Sequence, residues 1–169
     1  MTANNSVNTY NVATGTNEVT SPAQPAFLAF LGAGDTDLNV TGNGAAYDLG
    51  SGNALTEVYD QNADFNVNGT FTAPVTGRYF LARSIFYLQA AAGDTGAYFM
   101  VSSNRNYTAQ DGCDTNAAGN GASKMQVFAD MDAADTVTAR INITGVGANT
   151  VDVQGSATLG SYFCGYLTT

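Results

Sequence analysis

Residues 57–88 constrain this chain more than any other segment, because they set strand, turn and strand in one run. Thr70-Phe71-Thr72 is followed by Ala73-Pro74-Val75-Thr76-Gly77 and then by Arg78-Tyr79-Phe80-Leu81, so a β-type run meets Pro and Gly and resumes as alternating aromatics. That order marks a β-sheet with its turn included. Phe71 and Val75 suit one sheet face, Pro74 ends ladder donation at a bend, and Gly77 is free to take a positive φ. From residue 79 to 88 the parity Tyr79, Leu81, Ile85, Tyr87 is apolar, and so is the parity Phe80, Ala82, Phe86, Leu88. A strand apolar on both faces needs a cover on each.

Composition supports the same class. Charged residues and aromatics each make up 11% of the 169 residues, with 19 Gly and no Trp. Helical surfaces are normally built from Glu, Lys, Arg and Leu. Here the only Lys is Lys124 and the only Glu residues are Glu18 and Glu57. Short strands joined by polar turns fit better. The net charge of −9 argues against a phosphate backbone as partner, since nucleic acid rewards clustered cations. No apolar run approaches the length of a membrane span, and the start of the chain lacks the basic and apolar regions of a secretory signal. Cys113 and Cys164 are too few for a disulfide framework; one bridge between them and two free thiols are both open readings.

Residues 1–24 are polar, with only Val7, Tyr10, Val12 and Val19 as scattered apolar side chains, and read as an extended arm able to lie against a partner. The domain is expected over residues 25–169. Strands are expected at residues 27–31, 45–49, 55–60, around Phe65 and Phe71, and at 79–88, 97–102, 105–108, 124–129, 136–144, 150–154 and 157–167. Residues 37–43 read as a loop, as do residues 110–122, and a hairpin is expected across Asp130 to Asp135. About ten short strands at this spacing predict an all-β fold, a two-sheet antiparallel jelly-roll sandwich.

Four segments carry a resemblance. They are Pro25-Ala26-Phe27-Leu28-Ala29-Phe30, the run from Asn68-Gly69-Thr70-Phe71 through Gly77-Arg78-Tyr79-Phe80, Ala134-Asp135-Thr136-Val137, and Tyr162-Phe163-Cys164-Gly165-Tyr166-Leu167. In this order they resemble the globular heads of the C1q and tumour-necrosis-factor superfamily, in variants similar to those of bacteriophage and other viral structural and fibre proteins. Ala134 stands where such heads usually have Gly, and Cys164 where they have a small hydroxyl residue. No collagen-like Gly-x-y run precedes the head. The resemblance implies a homotrimer, whose neighbouring subunits would cover the second apolar face, with Phe80, Phe86, Tyr162 and Tyr166 as interface candidates.

Catalytic chemistry has little to work with. The absence of His removes the commonest general base and the commonest transition-metal ligand. Asp130, Asp132 and Asp135 are close enough to suggest a carboxylate pair, but they fall where acidic residues make ordinary turns. Cys113 has no cation nearby to lower its pKa. The chain is expected not to be an enzyme and to need no cofactor. Calcium is the one metal with candidate ligands, Asp111 and Asp114 with Asn116 and Asn120, at spacings that match no EF-hand loop.

The expectation from sequence is therefore a non-enzymatic homotrimeric virion structural protein at the particle surface, capsid decoration or fibre knob, docked to other virion proteins through residues 1–24. The alternative is an adhesin head of a phage tail fibre or bacterial cell surface, extracellular, binding a host glycan or receptor through Tyr107, Asn116 and Asn120.

Overall fold

The computed structural model describes residues 11–12, 19–20, 23–91, 94–101, 105–112, 115–116 and 118–168, of which 11–12, 19–20, 94–101 and 109–112 are described by backbone alone. Every regular element among them is a strand. Strands β1 (Asn11–Val12) and β2 (Val19–Thr20) form a small antiparallel ladder of their own.

The remaining strands build two antiparallel sheets. In one, β11 (Arg105–Gly112), β10 (Asp94–Val101), β13 (Thr136–Ile143), β8 (Thr70–Thr72) and β7 (Phe65–Asn66) lie in that order, with β5 (Ala46–Asp48) also on β13. In the other, the order is β4 (Asp37–Thr41), β14 (Val151–Val153), β9 (Gly77–Leu88), β15 (Tyr162–Leu167), β3 (Ala26–Phe30) and β6 (Thr56–Gln61). One edge of β9 pairs along nearly its whole length with β12 (Gly121–Met131), and the other takes β15 and then β14. This is the jelly-roll sandwich expected from the strand spacing.

Period-two patterning decides which side chains meet between the sheets. On β3 the burial alternates, so that Phe27 and Ala29 point inward; on β13 Val137, Ala139, Ile141 and Ile143 do the same. Phe27 stacks between Phe65 and Phe71, each with ring centroids 4.7 Å away, and meets Phe163 edge-on at 4.9 Å. Fully burying such a side chain contributes roughly 1.5–3 kcal/mol. The signature segments at either end of the domain thus meet at one aromatic centre. Gly69 is required at the turn into β8: its φ is +87°, and a Cβ there would lie 1.8 Å from the Leu49 carbonyl oxygen.

Several expectations need correction. Residues 37–41 form β4 rather than a loop, with Asn39 at φ 58° and its backbone N–H held by Asp152 at 2.8 Å. Weak alternation hid this strand because Asp37 is buried, accepting the Tyr47 hydroxyl and both the N–H and side-chain amide of Asn53. β12 and β13 do not form a hairpin: β12 pairs with β9, while β13 pairs with β10, β8 and β5 in the opposite sheet. The connection across Asp130 to Asp135 is an arch between sheets. Residues 157–161 are turn and bend, so the last strand begins only at Tyr162. β11 runs on to Gly112, which takes Asp111 out of the expected loop and into a strand. Gly77 is not among the residues with positive φ, and Val75 is exposed at the bend rather than packed beside Phe71.

Candidate functional site

The long strand β9 presents its two parities to different surroundings. Tyr79, Leu81, Ile85 and Tyr87 are buried between the sheets, whereas Phe80, Ala82, Phe86 and Leu88 are only half-buried on the outer face. The ladder register extends that face sideways. Phe80 lies opposite Phe128 on β12 and Tyr166 on β15; Ala82 lies opposite Gln126 and Cys164, and Ser84 opposite Lys124 and Tyr162. Beyond β15, Cys164 is opposite Leu28, Tyr162 is opposite Phe30, and Leu28 is in turn opposite Tyr59 of β6.

One end of this face is an aromatic cluster. Phe80 has its ring centroid 5.4 Å from Phe128 and 5.4 Å from Tyr166. Phe128 is 64% exposed and Tyr166 46% exposed, and Tyr59 at the far side is 48% exposed. Exposed aromatics that already touch one another, continuous with half-buried Leu28, Phe30 and Phe86, make an apolar patch rather than scattered surface residues. The structure therefore brings Phe80, Phe86, Tyr162 and Tyr166 onto one face. Sequence reading missed Phe128, Leu28 and Phe30, although the period-two pattern of β12 and β3 carries them; what it lacked was the register that sets them beside Phe80.

Cys164 lies in the middle of this face with a free thiol, and burial pushes its pKa up, so it behaves as a small apolar residue rather than a nucleophile. Cys113 lies outside the described residues.

Behind the outer face sits an unexpected cation. Arg83 is on the inward parity of β9 and is 1% exposed. Its Nη1 and Nη2 donate to the Ser123 carbonyl at 3.3 Å and hydroxyl at 3.1 Å, while Nε has no partner. Burial without a neighbouring carboxylate lowers its pKa to about 10.

The other candidates separate. Tyr107 is half-buried on β11, and its hydroxyl accepts the Asp130 backbone N–H at 3.0 Å. Asn116 Oδ1 accepts from the backbone of Ala118 at 2.9 Å and Asn120 at 3.1 Å, and Asn120 Oδ1 accepts from Gln89 at 3.4 Å. These acceptors shape the loop. Asp114 lies outside the described residues, Asp111 is described by its backbone alone, and among the described residues no three acidic or cysteine side chains converge as metal ligands do. The acidic arch is engaged as well: Arg105 Nη1 meets Asp130 Oδ2 at 2.7 Å, Arg105 Nη2 lies 3.8 Å from Asp132 Oδ2, and Asp135 Oδ2 accepts the Asp132 N–H at 2.9 Å. These carboxylates fasten the crossing between sheets.

The fold defines the class. The chain has the jelly-roll fold that the C1q and tumour-necrosis-factor heads also adopt. No protein-family model matches it, and no curated protein matches it in sequence. Among solved structures, it is similar to the globular domain of zebrafish complement 1qA, with 17% identity, a TM-score of 0.57, and coverage of 86% of this chain and 98% of that one. Murine APRIL at pH 5.0 aligns with 9% identity and a TM-score of 0.58 over 86% of this chain and 99% of its own. The PRD1 vertex protein P5 aligns with 10% identity and a TM-score of 0.58 over 95% of this chain and 82% of its own. At these identities the likeness is one of fold, and the fold has a viral relative.

Proposed function

We propose that this chain is a non-enzymatic structural head of a virus particle, assembled as a homotrimer through the outer face of β9, β12, β15 and β3. It would serve as a capsid decoration or a fibre knob. The observation that carries the reading is the exposed aromatic cluster of Phe80, Phe128 and Tyr166, on a fold that also builds a vertex protein. A head left as a monomer would keep that cluster in water; packing like copies around it removes apolar surface from solvent and covers the second face of β9. Residues 1–24 are the segment available to dock the head to other virion proteins.

Immunogold electron microscopy with an antibody raised against this head tests the location. Label over the shell is expected for a decoration protein and label at a spike or fibre tip for a knob. Unlabelled particles beside labelled cell surfaces would remove the virion reading in favour of a cell-surface adhesin.

A further inference from the structure

The outer face is nearly free of charge. On the outward parities of β3, β9, β12 and β15 the only Asp, Glu, Lys or Arg side chains are Arg78 and Asp130, opposite each other at one end, and Lys124 in the middle. Lys124 is exposed and stands over a depression of about 340 Å³ lined by Ala82, Arg83, Lys124, Met125, Gln126 and Tyr162. The floor is low because Ala82, the outward residue of β9 that lines it, has a side chain much smaller than its neighbour Phe80 on that parity. Among the described residues Lys124 meets no carboxylate at ion-pair distance, whereas Arg105 and Arg140 do.

We infer that this depression is a carboxylate-binding pocket filled by an Asp or Glu side chain of a second copy. The inference rests on the trimer reading and adds what makes the contact specific. Covering the apolar face with another subunit takes the Lys124 ammonium out of water, and a buried charge without a partner is strongly unfavourable. The chain carries 14 acidic residues against 5 basic ones, so the surface a second copy brings is rich in carboxylates. The ammonium, the Gln126 amide and the Tyr162 hydroxyl are all donors a carboxylate can accept from. The Lys124 ammonium beside these aromatics sets position rather than strength: it penalises any packing of the face that leaves it unpaired.

Having one lysine makes the test direct. A carbodiimide joins a carboxylate to an amine in contact with it, so treating the full-length protein should give covalent dimers and trimers whose linking peptide, read by mass spectrometry, contains Lys124. Lys124→Arg keeps the charge but removes the reactive amine, and should assemble as before while losing the cross-linked species. Wild-type cross-links that map only to the N-terminal amine, or the absence of any Lys124 link from a wild-type sample shown by light scattering to be trimeric, overturn the inference while leaving the trimer intact. Inorganic phosphate that raises the melting temperature of wild type saturably, and not that of Lys124→Gln, would overturn it in favour of a free anion. A monomer by light scattering removes the trimer reading itself.

Discussion

Arg83 sets the terms at the scale of single residues. A guanidinium between two sheets with one serine as its partner is desolvated at both nitrogens it uses and orphaned at Nε. Replacing such a group by an apolar side chain of similar length removes the desolvation penalty, and exchanges of this kind range from neutral to stabilising by about 1–4 kcal/mol. Arg83→Met should therefore raise the urea midpoint, while Ser123→Ala, which leaves the charge and the Ser123 carbonyl in place but removes the hydroxyl that accepts from Nη2, should lower stability by about 1–3 kcal/mol. The pH dependence has a fixed sign. The folded-state pKa is depressed to about 10, so the native state sheds the proton first as pH rises, and wild-type stability increases through that interval. The advantage of Arg83→Met should be full below pH 10 and shrink above it; urea titrations of both proteins at neutral and alkaline pH check this, and an advantage independent of pH would refute the account. The row Tyr79, Leu81, Arg83, Ile85, Tyr87 is visible in the sequence. What the sequence hides is that the row continues through its charged member without a break, because the neighbouring strand supplies a hydroxyl at the right height.

At the scale of elements, the same alternation that made strands legible left their partners unspecified. β12 and β13 both read as period-two runs around a turn, and an arch produces that pattern as readily as a hairpin. The difference lies in Arg105 and Tyr107 of β11, which hold the Asp130 end of the crossing, contacts that no local pattern announces. The aromatic cluster has the same origin. Phe80, Phe128 and Tyr166 are 38 or more residues apart in sequence and meet only because β9 takes β12 on one edge and β15 on the other. Since Phe128 is outward and exposed, Phe128→Asp should leave the monomer's core and its folding unchanged while placing a carboxylate in the aromatic cluster at one end of the proposed trimer face. Unchanged far-ultraviolet circular dichroism with a shift from trimer to monomer in light scattering is the expected result. A trimer that survives the substitution would show that copies associate through some other surface.

For the whole molecule, fold and placement come apart. The opening strand, the central signature and the closing strand are legible because their aromatics, Phe27, Phe71 and Phe163, are the ones that stack at the centre of the core. Nothing comparable in the sequence says where a head is carried, since one sandwich serves complement 1qA, APRIL and the PRD1 vertex protein alike. Under the proposed reading placement belongs to residues 1–24, and the hydrogen bonds of Gln24 and Pro25 show where that segment can be cut. Gln24 donates through its side chain to the Leu167 carbonyl, and the Leu167 N–H returns to Pro25 at 3.0 Å, so the residues from Gln24 onward belong to the closure of the sheet. Deleting residues 1–22 keeps both bonds, and the melting temperature and trimer mass of the shortened protein should match wild type. Added to particles stripped of the native protein, it should fail to rebind, whereas the full-length chain should return. A shortened head that still occupies the particle would place the docking surface on the jelly roll itself, and one that still binds host cells while leaving the particle would favour the adhesin.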